Sequence, residues 1–287
     1  MNSEKPIEML DCWRATAAYW TKYSDTIARM FAPLTEAMIE RAGIHEGQSV
    51  LDVAGGAGEP SLTIAERVGP GGSVMCTDAI AEMVEAARSE ADRRGLKNMQ
   101  FRQCTADSLP FPDDSFDVLV SRLGVMFFRD SAGAMREMLR VVKPGGSLTF
   151  AVWYKSDVNP FCYLVSGVMD QHVKAAEADP EAPNAFRFAE PGKLADVMKQ
   201  AGAIDVRDEV VSFDIEAPLS ALEFWTMRSQ TSDTLREKLA KLSSTEQAQI
   251  AAEVQQAVQD FFPDNQMKFP TQMLIATGRK QNQRTSA

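Results

Sequence analysis

Between Ser49 and Trp153 short apolar runs alternate with amphipathic stretches, and that rhythm leaves few folds open. SVLDVA (49–54), GSVMCTD (72–78), MQFRQCTA (99–106), FDVLVSR (116–122) and SLTFAVWY (147–154) read as strands. PSLTIAERV, AIAEMVEAARSEADRRG closed by Gly95, and SAGAMREMLRVV stopped by the turn KPGG read as the helices between them. Strands that are mostly apolar, rather than alternating, predict a parallel sheet covered by helices on both faces. The rhythm breaks after Trp153 and resumes with the helix EPGKLADVMKQAG, the strand AIDVRDEVVSFDI and a last strand, TQMLIATGR.

The flanks divide the rest. Trp13, Ala17, Trp20, Ile27 and Met30 recur at helical spacing, and Pro33 punctuates that run before a second helix ending near Ala42. This gives an N-terminal helical cap over 1–44, a core over 45–154, and a helical insertion or lid over 155–190. The remainder of the core follows over 191–280, with a helical elaboration at 219–262 and a frayed tail at 281–287.

The turn after the first strand, LDVAGGAGEP (51–60), is where a ligand belongs. Its glycines let a ligand touch the backbone, and the next helix presents unpaired N–H groups. A P-loop would need Lys-Ser/Thr after the last glycine; Glu59-Pro60 stands there instead. The dinucleotide spacing GxGxxG is not met either, and Glu59 beside the helix start disfavours a second anion. A ligand bearing an ammonium and a sulfonium suits this turn better than one bearing phosphates.

Two further acids stand at strand tips. Asp78 ends the second strand, where a carboxylate can accept from both hydroxyls of a ribose. Asp107, after the third strand, can accept from an adenine amine. Met83 can pack against a purine or within its helix.

At this point the chain resembles the class I S-adenosylmethionine-dependent methyltransferases, in the branch holding the ubiquinone/menaquinone-biosynthesis enzymes. VLDVAGGAG matches the first motif, VMCTDAIAEMVEAA the ribose motif, ADSLPFPDDSFDVLVS the adenine motif and LRVVKPGGSLTF the fifth-strand turn. The resemblance implies a Rossmann-like, seven-stranded, mostly parallel sheet whose last strand is antiparallel. It implies S-adenosylmethionine contacts at Asp52, Gly55, Gly56, Gly58, Asp78, Ala79, Met83, Asp107, Ser108 and Ser121. Family members close the cap over the cofactor with aromatics, which points to Tyr23, with Trp13 and Trp20 beside it. Trp20, Met126, Phe127, Trp153, Phe161 and His172 are the candidates for the acceptor pocket, and His172 is the one candidate general base. Ala54 departs from the pattern, standing where the family has the first glycine of its GxG.

The implied reaction is methyl transfer from S-adenosylmethionine to a small aromatic or lipophilic molecule, driven mainly by positioning, with S-adenosylhomocysteine as the other product. The same turn and Asp78 leave a nicotinamide-dependent oxidoreductase, or a cofactor-binding protein without catalysis, as the competing readings. A net charge of −10 without a Lys/Arg stripe argues against nucleic acid. Four scattered cysteines, two histidines and no CxxC argue against a structural metal. The sequence has no bilayer-length apolar run and no signal-like start, so a cytoplasmic monomer or homodimer is expected.

Overall fold

A computed structural model describes residues 9–173, 179 and 181–282. Positions 1–8 of the cap, 174–178 and 180 of the insertion, and 283–287 of the expected tail lie outside the described residues. Three helices open the chain, α1 (Met9–Lys22), α2 (Ser24–Met30) and α3 (Ala32–Ala42). The central series is β1 (Ser49–Val53), α4 (Ser61–Val68), β2 (Ser73–Asp78), α5 (Ala81–Arg94), β3 (Met99–Gln103), β4 (Phe116–Arg122), α6 (Ser131–Val141) and β5 (Val142–Trp153). After it come α7 (Pro160–His172), α8 (Lys193–Ala201), β6 (Ile204–Ala217), α9 (Ala221–Thr231), α10 (Asp233–Leu239), α11 (Ser244–Ala257) and β7 (Met267–Arg279).

All seven strands form one sheet, in the order β3-β2-β1-β4-β5-β7-β6. The pairs among β1 to β5 are parallel, and β7 runs antiparallel between β5 and β6. Val50, Leu51, Asp52 and Val53 of β1 are all buried, so both faces of the sheet centre are covered. The edge strands β3 and β6 instead carry alternating exposed positions, as strands without a second neighbour must to stay soluble. Local sequence sets the helix ends. Gly43 and Gly95 take left-handed C-caps at φ 69° and 73°. Ser220/Glu223 and Ser243/Glu246 close capping boxes at α9 and α11.

Three details differ from the sequence expectation. The N-terminal run is three helices rather than two, and Pro33 sits in the first turn of α3, where its missing N–H costs nothing. KPGG is not a loop ahead of the strand: β5 already pairs through Val142 with Phe116, and four residues bulge out before pairing resumes at Ser147–Val118. Gly145 takes φ 78° there, and a Cβ on Gly146 would stand 2.6 Å from the carbonyl of Asp117. Finally, α7, in the expected 155–190 lid, packs into the core. Phe161 of α7 is buried against Trp153, Phe224 and Phe269, which ties α7 to β5, α9 and β7. Buried Asn159 donates to the carbonyls of Lys155 and Gln272 and accepts from the Gln272 N–H, fixing the start of α7 to β7.

Candidate functional site

Parallel strands leave their C-terminal tips side by side, and a concavity lies there. It is a cavity of about 420 Å³ between the tips of β1 to β4 and the N-terminal helices. Its floor is the Gly-rich turn. The Gly55 N–H donates to the Thr77 carbonyl (2.8 Å), and Thr77 Oγ1 donates to the Asp52 carbonyl (2.9 Å). These two bonds lash the turn to β2. A Cβ on Gly55 would lie 2.7 Å from Cys76 Sγ and 2.8 Å from Asp52 Oδ2, so that position must be glycine for packing alone. A Cβ on Gly56, at φ 56°, would meet nothing within 4 Å, because it would point into the cavity space.

Asp78 carries the electrostatics of this wall. Its Oδ2 accepts from the Gly56 N–H (3.0 Å) and its Oδ1 from the Ile80 N–H (2.9 Å), which fixes the carboxylate and leaves lone pairs toward the cavity. Burial pushes its pKa up, partly offset by those backbone N–H groups. Ala79, Met83 and Asp107 share the lining with Gly55, Gly56 and Asp78. Of the acceptor-pocket candidates, Trp20 and Phe127 also face it. Trp13 bridges the two, its ring 5.8 Å from Trp20 and 5.0 Å from Phe127, and the buried Trp20 Nε1 has no hydrogen-bond partner.

The other candidates are placed elsewhere. Asp52 is fully buried behind the turn, its Oδ2 accepting from Ser61 Oγ (2.7 Å) and its Oδ1 unpartnered. Gly58 supports the turn from below, where a Cβ would stand 2.6 Å from Leu62. Ser108 is exposed beyond the rim, and Ser121 is buried. The Tyr23 hydroxyl bonds Gln230 (2.8 Å) outside the cavity. Met126 is core, and Trp153 stacks on Phe161, their centroids 5.9 Å apart. His172 Nε2 bonds Glu253 (2.6 Å) on α11, so the structure does not bring the candidate base to the cavity. Phe161 and His172 share a cause: α7 packs against α9 and α11, helices distant in sequence.

Glu59 also differs from expectation. Its carboxylate lines the cavity but is already engaged by Thr63 (2.8 Å) and Arg94 (3.1 Å), so its charge is partly offset. Cavity residues that the sequence did not single out include Thr105 and Ala106, Ile27 and Phe31, and Arg122. For Arg122 a signal existed: a cation closing an otherwise apolar strand, FDVLVSR. Outside the cavity, Cys12, Asp233 and Glu237 cluster at the contact of α1 with α10. Burial and the hydrogen bond to Asp233 push the Cys12 thiol up to about 12, so it stays protonated.

Ala54 is accommodated by a residue seventy positions away. It takes φ 59°, a left-handed conformation that costs a non-glycine residue about 1 kcal/mol. Its methyl fits because Gly124 faces it; a Cβ on Gly124 would stand 2.7 Å from the Ala54 Cβ and 2.7 Å from Ser121 Oγ. Gly124→Ala is therefore expected to destabilise the fold by about 1–3 kcal/mol, as overpacking does. Ala54→Gly should recover part of that loss, and denaturant midpoints for the double-mutant cycle read it out. Strictly additive costs would show that the two residues do not share this space.

A 3-2-1-4-5-7-6 sheet with antiparallel β7, and with a Gly-rich turn and two acids at its strand tips, is the α/β methyltransferase architecture. Comparison with known proteins agrees. Residues 27–166 match the ubiE/COQ5 methyltransferase family model. An uncharacterised protein of Mycobacterium tuberculosis is 37% identical over 131 residues, 46% of either chain. A ubiquinone/menaquinone biosynthesis C-methyltransferase of Hahella chejuensis is 38% identical over 123 residues, covering 42% of this chain and 49% of the relative. The crystal structure of the YcgJ protein of Bacillus subtilis superposes with TM-score 0.56 at 22% identity, over 88% of this chain and all of that one, a likeness of fold. Over residues 27–166, just under half of its length, the chain is similar to the ubiE/COQ5 methyltransferases. It spans about half the length of the curated relatives it matches. Among the described residues no helix is long and apolar enough to cross a membrane.

Proposed function

We infer that the chain binds S-adenosylmethionine in the strand-tip cavity and transfers its methyl group to a small, flat or lipophilic acceptor. The observation that carries this is one cavity joining Gly56, Asp78 and Asp107 on one side to Trp13, Trp20, Phe31 and Phe127 on the other. The residues fit the cofactor: Asp78 keeps lone pairs for ribose hydroxyls, the space over Gly56 is open, and Asp107 stands where an exocyclic amine would need an acceptor. When bound, the cofactor supplies an electrophilic methyl on sulfur for in-line displacement.

The chain's own part is positioning and water exclusion. Asp78 and the turn fix the nucleoside end. The wall from α1 to α3, with Phe127, offers apolar surface and the single orphaned indole N–H of Trp20 for orienting an acceptor. We assign the covering role to α1 rather than to the 155–190 segment. Gln230 of α9 bonds Lys22 and Tyr23, and Arg236 of α10 bonds the Ala15 carbonyl, so the 219–262 helices brace the cap. With His172 outside the cavity, catalysis in this reading rests on geometry. A dinucleotide is disfavoured because Glu59, fixed by Thr63 and Arg94, puts a carboxylate beside the start of α4, where a pyrophosphate would sit.

Isothermal titration with S-adenosylhomocysteine tests the reading, with micromolar binding expected and none for NADH. Absence of binding at millimolar S-adenosylhomocysteine would remove it.

A further inference from the structure

We propose that Arg122 recognises the carboxylate of the cofactor's methionine tail, an inference that rests on the reading above. Arg122 is the last residue of β4 and lines the cavity. Its Nη1 donates to Thr35 Oγ1 (2.7 Å), its Nη2 donates to the Glu59 carbonyl (3.1 Å), and its Cζ lies 5.7 Å from the centre of the Phe31 ring. Those contacts orient the guanidinium plane, yet every partner is neutral. No described carboxylate forms an ion pair with it, since Glu59 is taken by Arg94 and Thr63 while Asp52 faces Ser61. An enclosed guanidinium held in place without an anion is an unfinished arrangement, because burying a charge is costly until a counter-charge arrives.

The order of groups along the cofactor says which anion completes it. Asp78 anchors the ribose and the 104–107 loop lines the base end. The methionine tail leaves the ribose on the opposite side from the base, so it runs over Gly55 and Gly56 toward the tips of β1 and β4. Arg122 stands there. The tail's carboxylate is the one anionic group on that cofactor, and a planar guanidinium whose fork is already oriented matches it.

A carboxylate could also come from the acceptor, and two ligands separate the sources. S-adenosylhomocysteine carries the tail; 5′-methylthioadenosine carries the same nucleoside and sulfur without it. In Arg122→Met, titration calorimetry is expected to show S-adenosylhomocysteine affinity falling about 30-fold, the scale of a lost charge-assisted hydrogen-bond pair. Methylthioadenosine affinity should change less than about twofold. Arg122→Lys, which keeps the charge without the fork and the native packing volume, should lose about 5-fold for the first ligand and nothing for the second. It carries the test if the methionine variant does not fold. Unchanged affinity for both ligands, or an equal loss of both, overturns the proposal, the former leaving the tail unread and the latter making Arg122 a structural residue. Wild-type protein that binds neither ligand overturns the functional reading itself, an outcome distinct from the other two.

Discussion

Asp78→Ala is expected to weaken S-adenosylhomocysteine binding by at least about 100-fold, the largest effect of any single cofactor-site change. Two losses combine. The ribose hydroxyls lose an anionic acceptor, worth about 1.5–3 kcal/mol. The N–H groups of Gly56 and Ile80, now bonded to Oδ2 and Oδ1, lose their partner, so the turn itself is freed. Asp78→Asn removes the charge and keeps the shape, but its single acceptor oxygen can hold only one of the two N–H bonds. The variant should therefore cost the unliganded fold about 1 kcal/mol, less than Asp78→Ala does, and lower affinity about tenfold. Calorimetry beside thermal unfolding measures both quantities. Undiminished affinity in Asp78→Ala would move the ribose away from β2.

The sheet was legible because a strand buried on both faces has nowhere to hide its composition: SVLDV and FDVLVSR are mostly apolar, and the helices between them end at glycines. The strand-tip acids were legible for the same reason, since a carboxylate closing an apolar run stands out. What local pattern could not show was who packs on whom. Trp153 and Phe161 read as a pocket wall, and only the contacts of Phe161 with Phe224 and Phe269, from segments far along the chain, make them core. His172 has no local sign of a partner, and its partner is Glu253, eighty-one residues later. Ala54 was visible as a departure, but its remedy is Gly124, in a different loop. Arg122 is the opposite case: its signal, a cation closing an apolar run one residue past Ser121, lies in the sequence, but an arginine ending a strand is usually solvated.

Asp52 is expected to set the steepest pH dependence of the fold's stability. Burial pushes its carboxyl up to about 7, with the Ser61 hydroxyl and the charge of Arg122 pulling only part of the way back. In the unfolded chain the same group titrates near about 3.9. The folded state therefore holds the proton more tightly, and the stability this contributes is full below about pH 4. It is lost as pH rises toward 7, by on the order of 4 kcal/mol in total. The paired acids Glu90 and Glu137, whose pKa values are lowered by their arginines, act with the opposite sign, so the wild-type curve alone mixes the two. Asp52→Asn isolates the one group. An asparagine oxygen can keep the Ser61 bond, and its nitrogen replaces Oδ1, which has no partner. The variant should match wild type near pH 4.5 and exceed it by about 2–4 kcal/mol at pH 8, read from urea midpoints across that range. Parallel curves would mean that Asp52 is already ionised in the folded state at low pH. Because Asp52 lies behind the turn rather than in the cavity, its S-adenosylhomocysteine affinity should fall far less than that of Asp78→Ala.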